Sequence, residues 1–265
     1  MKVVIFCGGL GVRMGEATQR IPKPMISVGT KPILWHIMKW YASWGHTEFI
    51  LCLGYRQEVI KEYFLGYDEA LTHDFVLSRR GKEIDVLGSD ISDWTIAFVD
   101  TGVQSTIGER LKAVERYLED DPEFLATYGD GLCDAPLDDM VDVFRASGKL
   151  IQFMSVKPAF NAHRVLTDED GTVTAVVDMS TSDVRINGGF FVCRRELLDE
   201  IQTGDELVEE TFERLIPRGE VVAYPYEGFF GPMDTIKDRQ WLEELLESGK
   251  APWLPTGADV DSAVG

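Results

Sequence analysis

The sequence predicts an α/β protein, a mixed and mostly parallel sheet flanked by helices, and three observations predict it. The chain opens on a continuous apolar run, Val3-Val4-Ile5-Phe6-Cys7, of the kind a strand buried on both faces requires. The run ends directly in glycines, at Gly8-Gly9-Leu10-Gly11-Val12-Arg13. Short apolar runs then alternate with segments of helical periodicity, the pattern of parallel strands joined by crossover helices. In outline this is Rossmann-like.

The elements follow in order. Pro32 opens a helix through about Trp44, with Ile33, Ile37, Met38 and Tyr41 at helical spacing. Glu48 to Leu53 reads as the second strand, and Gln57 to Tyr67 as a helix. Leu77 to Asp100 reads as short strands, including Trp94 to Val99. A helix carrying Leu111, Val114 and Leu118 follows, then a strand from Phe124 to Tyr128 with Gly129-Asp130 at its carboxyl end. From Lys149 the pieces shorten and become β-rich: Ile151 to Val156, Val173 to Val177 and Gly189 to Cys193 are expected to complete the sheet. Leu207 to Leu215 and Ile236 to Leu246 read as helices. One domain is expected over residues 1–254, in halves of about 1–148 and 149–254, with 255–265 a disordered tail.

The glycines after the first strand let backbone N–H groups approach a polyphosphate without a Cβ in the way. Arg13 and Lys23 add positive charge, and prolines on both sides of Lys23, in Pro22-Lys23-Pro24, stiffen the backbone that presents it. A Walker loop is excluded, because Gly8 to Gly15 holds no lysine. A dinucleotide loop wants an acid at the tip of the second strand, where this chain has Gly54-Tyr55.

The chain of 265 residues is 45% hydrophobic, enough for one sizeable core, and its formal net charge of -19 argues against nucleic acid as a partner. The four cysteines, Cys7, Cys52, Cys133 and Cys193, fall singly, as reduced core thiols do. With no apolar run of bilayer length and no room for a signal peptide before the first strand, no membrane contact and a cytoplasmic address are expected. Each histidine reads as structural.

An ordered set of motifs then resembles the sugar-phosphate nucleotidyltransferases, and within them the glucose-1-phosphate cytidylyltransferases. It runs through the glycine loop, Pro22-Lys23-Pro24-Met25, Lys31-Pro32-Ile33-Leu34-Trp35-His36, Gly54-Tyr55, Asp100-Thr101-Gly102, Tyr128-Gly129-Asp130-Gly131, Asn187-Gly188-Gly189-Phe190-Phe191, Pro232-Met233-Asp234-Thr235 and Gly249-Lys250-Ala251-Pro252-Trp253. The resemblance implies a nucleotide-diphospho-sugar transferase fold whose C-terminal half forms the sugar side. It implies CTP and a sugar 1-phosphate as partners, joined to a CDP-sugar with loss of pyrophosphate, and Mg²⁺ held by Asp130 and Asp234. On residue type alone Asp130 could be a turn residue and Asp234 a helix N-cap. Arg13 would neutralise the leaving pyrophosphate and Lys23 would bridge the α-phosphate and the attacking group. Gly8, Gly9, Leu10, Gly11, Val12, Gly54, Tyr55, Thr106, Arg110 and Gly129 would hold the nucleotide. Tyr128, Asp178, Arg185, Asn187 and Gly188 would hold the sugar phosphate. A regulatory protein of the same fold would bind CTP without turnover.

The chain departs from its relatives at particular positions. Ile107 and Glu109 replace a Thr and a Gly of their Thr-Gly-Gly-Arg, and Val12 replaces a threonine. Asp178-Met179-Ser180 replaces Glu-Lys-Pro, and methionine cannot donate to a phosphate. Arg185 is the nearest cation to take the lysine's place and Arg164 the next, with glucose 1-phosphate expected to be a weak acceptor. Trp35, Trp40, Tyr41 and Trp44 suggest more aromatic surface than one core face needs, hence a homo-oligomer.

Overall fold

The computed structural model describes residues 1–9, 21–158, 163–179 and 183–254. The expected tail and the loop residues Leu10, Gly11, Val12 and Arg13 lie outside them. The central sheet is built on β1 (Val3–Phe6), whose four residues are all buried. It pairs in parallel with β2 (Glu48–Leu53) on one side and β6 (Glu123–Tyr128) on the other. Beyond β2 lies β5 (Thr95–Asp100), also parallel. Between these strands run α1 (Ile33–Ser43), α2 (Gln57–Leu65), a hairpin of β3 (Phe75–Ser78) and β4 (Glu83–Val86), and α3 (Ile107–Ala113).

After β6 come the short β7 (Gly131–Cys133), α4 (Leu137–Ser147) and β8 (Ile151–Val156). Strand β12 (Phe191–Arg194) joins β6 to β8 through antiparallel pairs, and β11 (Ile186–Asn187) extends along β8. On the far edge of β8 lies β13 (Val221–Tyr226), parallel. The order β11-β8-β12-β6-β1-β2-β5 runs through both halves of the chain as one sheet. Two elements depart from the expectation. Val173 to Val177 is a strand, β10 (Val173–Asp178), but it pairs only with β9 (His163–Thr167) in a ribbon off the sheet, with Val165, Val173 and Val176 exposed. The helix with Leu111 stops at Ala113, and Val114 and Leu118 are buried from a following 3-10 turn.

Alternation along β1 explains its unbroken apolar run. Val3, Ile5 and Cys7 face one core with α1, α4 and the last helix, α5 (Ile236–Glu247), while Val4 and Phe6 face another with α3 and the Leu197–Leu215 region. The four cysteines are buried and unpaired. Of the aromatic set that suggested an oligomer, Trp35, Trp40 and Tyr41 are buried within the chain, and Trp44 is partly buried against the same core. No helix among the described residues is long and apolar enough to cross a membrane.

Candidate active site

The carboxyl ends of β1, β5 and β6 open onto one cleft, as parallel sheets provide. Pro22 and Pro24 frame a 3-10 turn, Lys23–Met25, that brings Lys23 over the end of β6. There its ammonium donates to Asp130 Oδ2 at 2.7 Å and to Asp234 Oδ1 at 2.6 Å. Burial by itself would lower the lysine's pKa, but Asp130 and then Asp234 outweigh it, and the ammonium is held above its ordinary value.

Residues 130 and 234 meet for a local reason. Strand β14 (Phe230–Pro232) pairs with β7, with Pro232 opposite Gly131, and Met233 N donates to the Asp130 carbonyl at 2.8 Å. Asp234 is not the cap of α5. Thr235 takes that position in a capping box with Asp238, which leaves the Asp234 carboxylate on the cleft side.

Two cavities share Tyr128, Asp130 and Asp234 in their walls. The first, about 490 Å³, is lined by Gly8, Gly9, Lys23, Gly129, Arg110, Val103, Gln104, Ser105, Ile107 and Glu206 among others. The second, about 730 Å³, is largely apolar, with Ile186, Phe190, Phe230, Pro232 and Trp241, and carries Asn187, Gly188 and Lys237. Burial raises the Tyr128 phenol to about 12, so it stands between the cavities as a neutral hydroxyl, with Asn187 Nδ2 donating to it at 3.3 Å.

Arg110 belongs to the first cavity but is 3% exposed. Its guanidinium donates to Thr101 Oγ1 at 2.8 Å and to the carbonyls of Gly8 at 3.2 Å, Leu53 at 3.3 Å and Val103 at 3.3 Å. A Cβ at Gly8 would lie 1.8 Å from Arg110 Nη1, so a side chain there would push the guanidinium away from the oxygens it holds. Gly129 is less tightly enclosed, a Cβ there lying 2.9 Å from Pro24 Cγ and 3.0 Å from the Phe6 carbonyl oxygen. Gly54 and Tyr55 stand beside Gly8, where Tyr55 N donates to Gly8 O at 3.5 Å, and do not line the cavity.

Three expected ligands are engaged elsewhere. Thr106 caps α3, its hydroxyl accepting from Glu109 N at 3.1 Å and donating to Asp205 O at 2.5 Å, and it does not line the cavity. Glu109 completes that capping box. Arg185 pairs with Glu227 and donates to Ser155 O at 2.7 Å, so it does not reach the second cavity. Asp178 is exposed on the β9-β10 ribbon, outside both cavity walls. The sequence reading missed Lys237 and Glu206. Lys237 follows Asp234 by three residues, in the first turn of α5, a proximity that could have flagged it; Glu206 carries no local signal.

Asp130 and Asp234 suit a hard divalent cation. They offer carboxylate oxygens from two loops toward one point, and among the described residues no third His, Cys, Asp or Glu joins them in a metal-holding group. Magnesium takes one or two carboxylates and completes its shell with water and substrate phosphate, so the donor set fits it.

The family model for nucleotidyl transferases matches residues 2–178. A glucose-1-phosphate cytidylyltransferase of Salmonella typhi is 40% identical over 255 residues, covering 96% of this chain and 98% of that protein. A probable glucose-1-phosphate cytidylyltransferase of Bacillus subtilis is 38% identical, covering 96% and 99%. Among solved structures, a putative glucose-1-phosphate thymidylyltransferase from Bacillus anthracis has a TM-score of 0.69 at 13% identity over 98% of this chain and 99% of that one. A UDP-glucose pyrophosphorylase complexed with UDP-glucose has a TM-score of 0.67 at 14% identity, over 94% and 98%. These two likenesses show the fold.

Proposed function

This chain belongs to the nucleotidyl transferase family, among the glucose-1-phosphate cytidylyltransferases, and from that premise we propose that it joins CTP and a sugar 1-phosphate, glucose 1-phosphate or a close relative, into a CDP-sugar and pyrophosphate. The observation that carries the reading is the meeting of Lys23, Asp130 and Asp234 at the seam of two cavities. One cavity is floored by glycine backbone, as a triphosphate requires, and the other is large enough for a sugar.

In the reaction an oxygen of the acceptor's phosphate attacks the α-phosphorus of CTP. The new O–P bond forms as the bond to the bridging oxygen of the β-phosphate breaks, and that electron pair departs with pyrophosphate. The attacking oxygen is already anionic, so no general base is required, and positioning with charge neutralisation carries the step.

Lys23 supplies a fixed cation where the two phosphates meet. Arg13, outside the described residues, keeps the role its loop position suggests, on the leaving pyrophosphate. The buried Arg110 braces the Gly8 carbonyl, which sets the direction of the Gly9 N–H on the same peptide. Asp130 and Asp234 would hold Mg²⁺, which when bound neutralises phosphate charge. Asn187 and Tyr128 fix the wall between the cavities, and Lys237 receives the acceptor's phosphate in place of the lysine that Met179 displaces.

A pyrophosphate-release assay tests the reading. Release is expected only when CTP, a sugar 1-phosphate and a divalent cation are all present. A protein that binds CTP yet releases pyrophosphate with no acceptor in a panel of sugar phosphates is a nucleotide-binding regulator, and the reading fails.

A further inference from the structure

We propose that Glu206 selects the base of the nucleotide: its carboxylate accepts from an exocyclic amino group and so favours CTP over UTP. The proposal rests on the nucleotide reading of the first cavity. In the sheet, the glycine loop follows β1 and residues 101–107 follow β5, two strands away. Two strand spacings are about 10 Å. A nucleotide with phosphates at Gly8, Gly9 and Lys23 therefore lays its base toward Val103, Gln104, Ser105, Ile107 and Glu206.

The side chains at that end differ in what they can read. Val103 and Ile107 are apolar. Ser105 donates its hydroxyl to Thr101 O at 2.5 Å. Gln104 carries an amide that can present either its oxygen or its nitrogen, so it suits an amino or a keto group equally. Glu206 alone among these is acceptor-only when ionised.

Its position is fixed from two sides. Ile107 N donates to Glu206 Oε2 at 3.2 Å, and the adjoining Asp205 carbonyl accepts from Thr106 Oγ1. Glu206 Oε1 takes no hydrogen bond among the described residues, and the residue lines the cavity. Cytosine presents N4–H₂ to such an oxygen; uracil presents O4, an acceptor facing an acceptor.

The bond to Ile107 N also caps α3, so the experiment separates capping from selection. Titration calorimetry with CTP and UTP in the presence of Mg²⁺ needs no turnover. The native protein is expected to bind CTP at least tenfold more tightly. In Glu206→Gln the amide oxygen keeps the Ile107 bond while the amide nitrogen meets O4, and the CTP-to-UTP affinity ratio should fall by roughly ten- to a hundredfold. Glu206→Ala should lose the preference by weakening CTP alone. No CTP preference in the native protein, or an unchanged ratio in both variants whatever their melting temperatures, overturns the assignment. Selective CTP binding without pyrophosphate release in the native protein would refute the proposed reaction and leave the role of Glu206 standing.

Discussion

Lys237 and Arg185 divide the problem of the missing lysine between them. Arg185 is closer in sequence to Asn187, but Glu227 and the Ser155 carbonyl take its guanidinium, and both lie on strands or loops that only the folded sheet brings near. Lys237 is the one Lys or Arg among the described residues lining the second cavity. Its ammonium reaches solvent, so its attraction for phosphate is screened and stands near the lower end of charge-assisted bonds, about 1.5 kcal/mol. Lys237→Ala should raise the KM for the sugar phosphate about tenfold and leave the KM for CTP unchanged in steady-state kinetics. An unaltered acceptor KM would remove Lys237 from the site. The same distinction explains what was legible at this scale. Lys23 is marked by the prolines on either side of it, and Asp130 and Asp234, ambiguous by residue type alone, are marked by the family resemblance, whereas Thr106 and Arg185 are decided by partners 99 and 42 residues away.

Elements were legible where burial alone writes the pattern. Strand β1 and helix α1 follow from apolar runs and helical spacing, because both faces of one and most of the other are buried. Pairing is a different matter: Val173 to Val177 has the alternation of a strand, but alternation does not say which neighbour it joins, and β10 joins β9 off the sheet. Helix α1 also carries a pH dependence. His36 is fully buried, its Nε2–H donating to Val28 O at 2.9 Å and its Nδ1 accepting from Trp253 Nε1 at 3.2 Å, an arrangement that only the neutral ring satisfies. Burial holds its pKa down at about 4, against about 6.5 in an unfolded chain. The unfolded state therefore binds the proton first, and stability present above pH 6.5 is lost as pH falls toward 4. Between pH 6.5 and 5 the loss is about 1.5 kcal/mol. Urea unfolding at the two pH values should show it in the native protein and not in His36→Gln; equal slopes in both would contradict it.

Across the whole molecule, a chain of net charge -19 must receive two polyanions in one cleft. The general field opposes them, so the local arrangement has to prevail: glycine backbone at the end of β1, Arg110 beneath it, Lys23 over β6 and Lys237 on α5. Both halves of the sequence contribute to that cleft because β12 and β8 continue the sheet begun by β1, and the β7-β14 pair closes Asp234 onto Asp130. Catalysis depends on that closure. Asp234→Asn changes one oxygen to nitrogen in a half-exposed side chain that caps no helix, so the fold should keep its melting temperature. Turnover of CTP and glucose 1-phosphate, followed as pyrophosphate at saturating magnesium, should fall by about a hundredfold or more. A folded Asp234→Asn protein that turns over at the native rate would contradict the account.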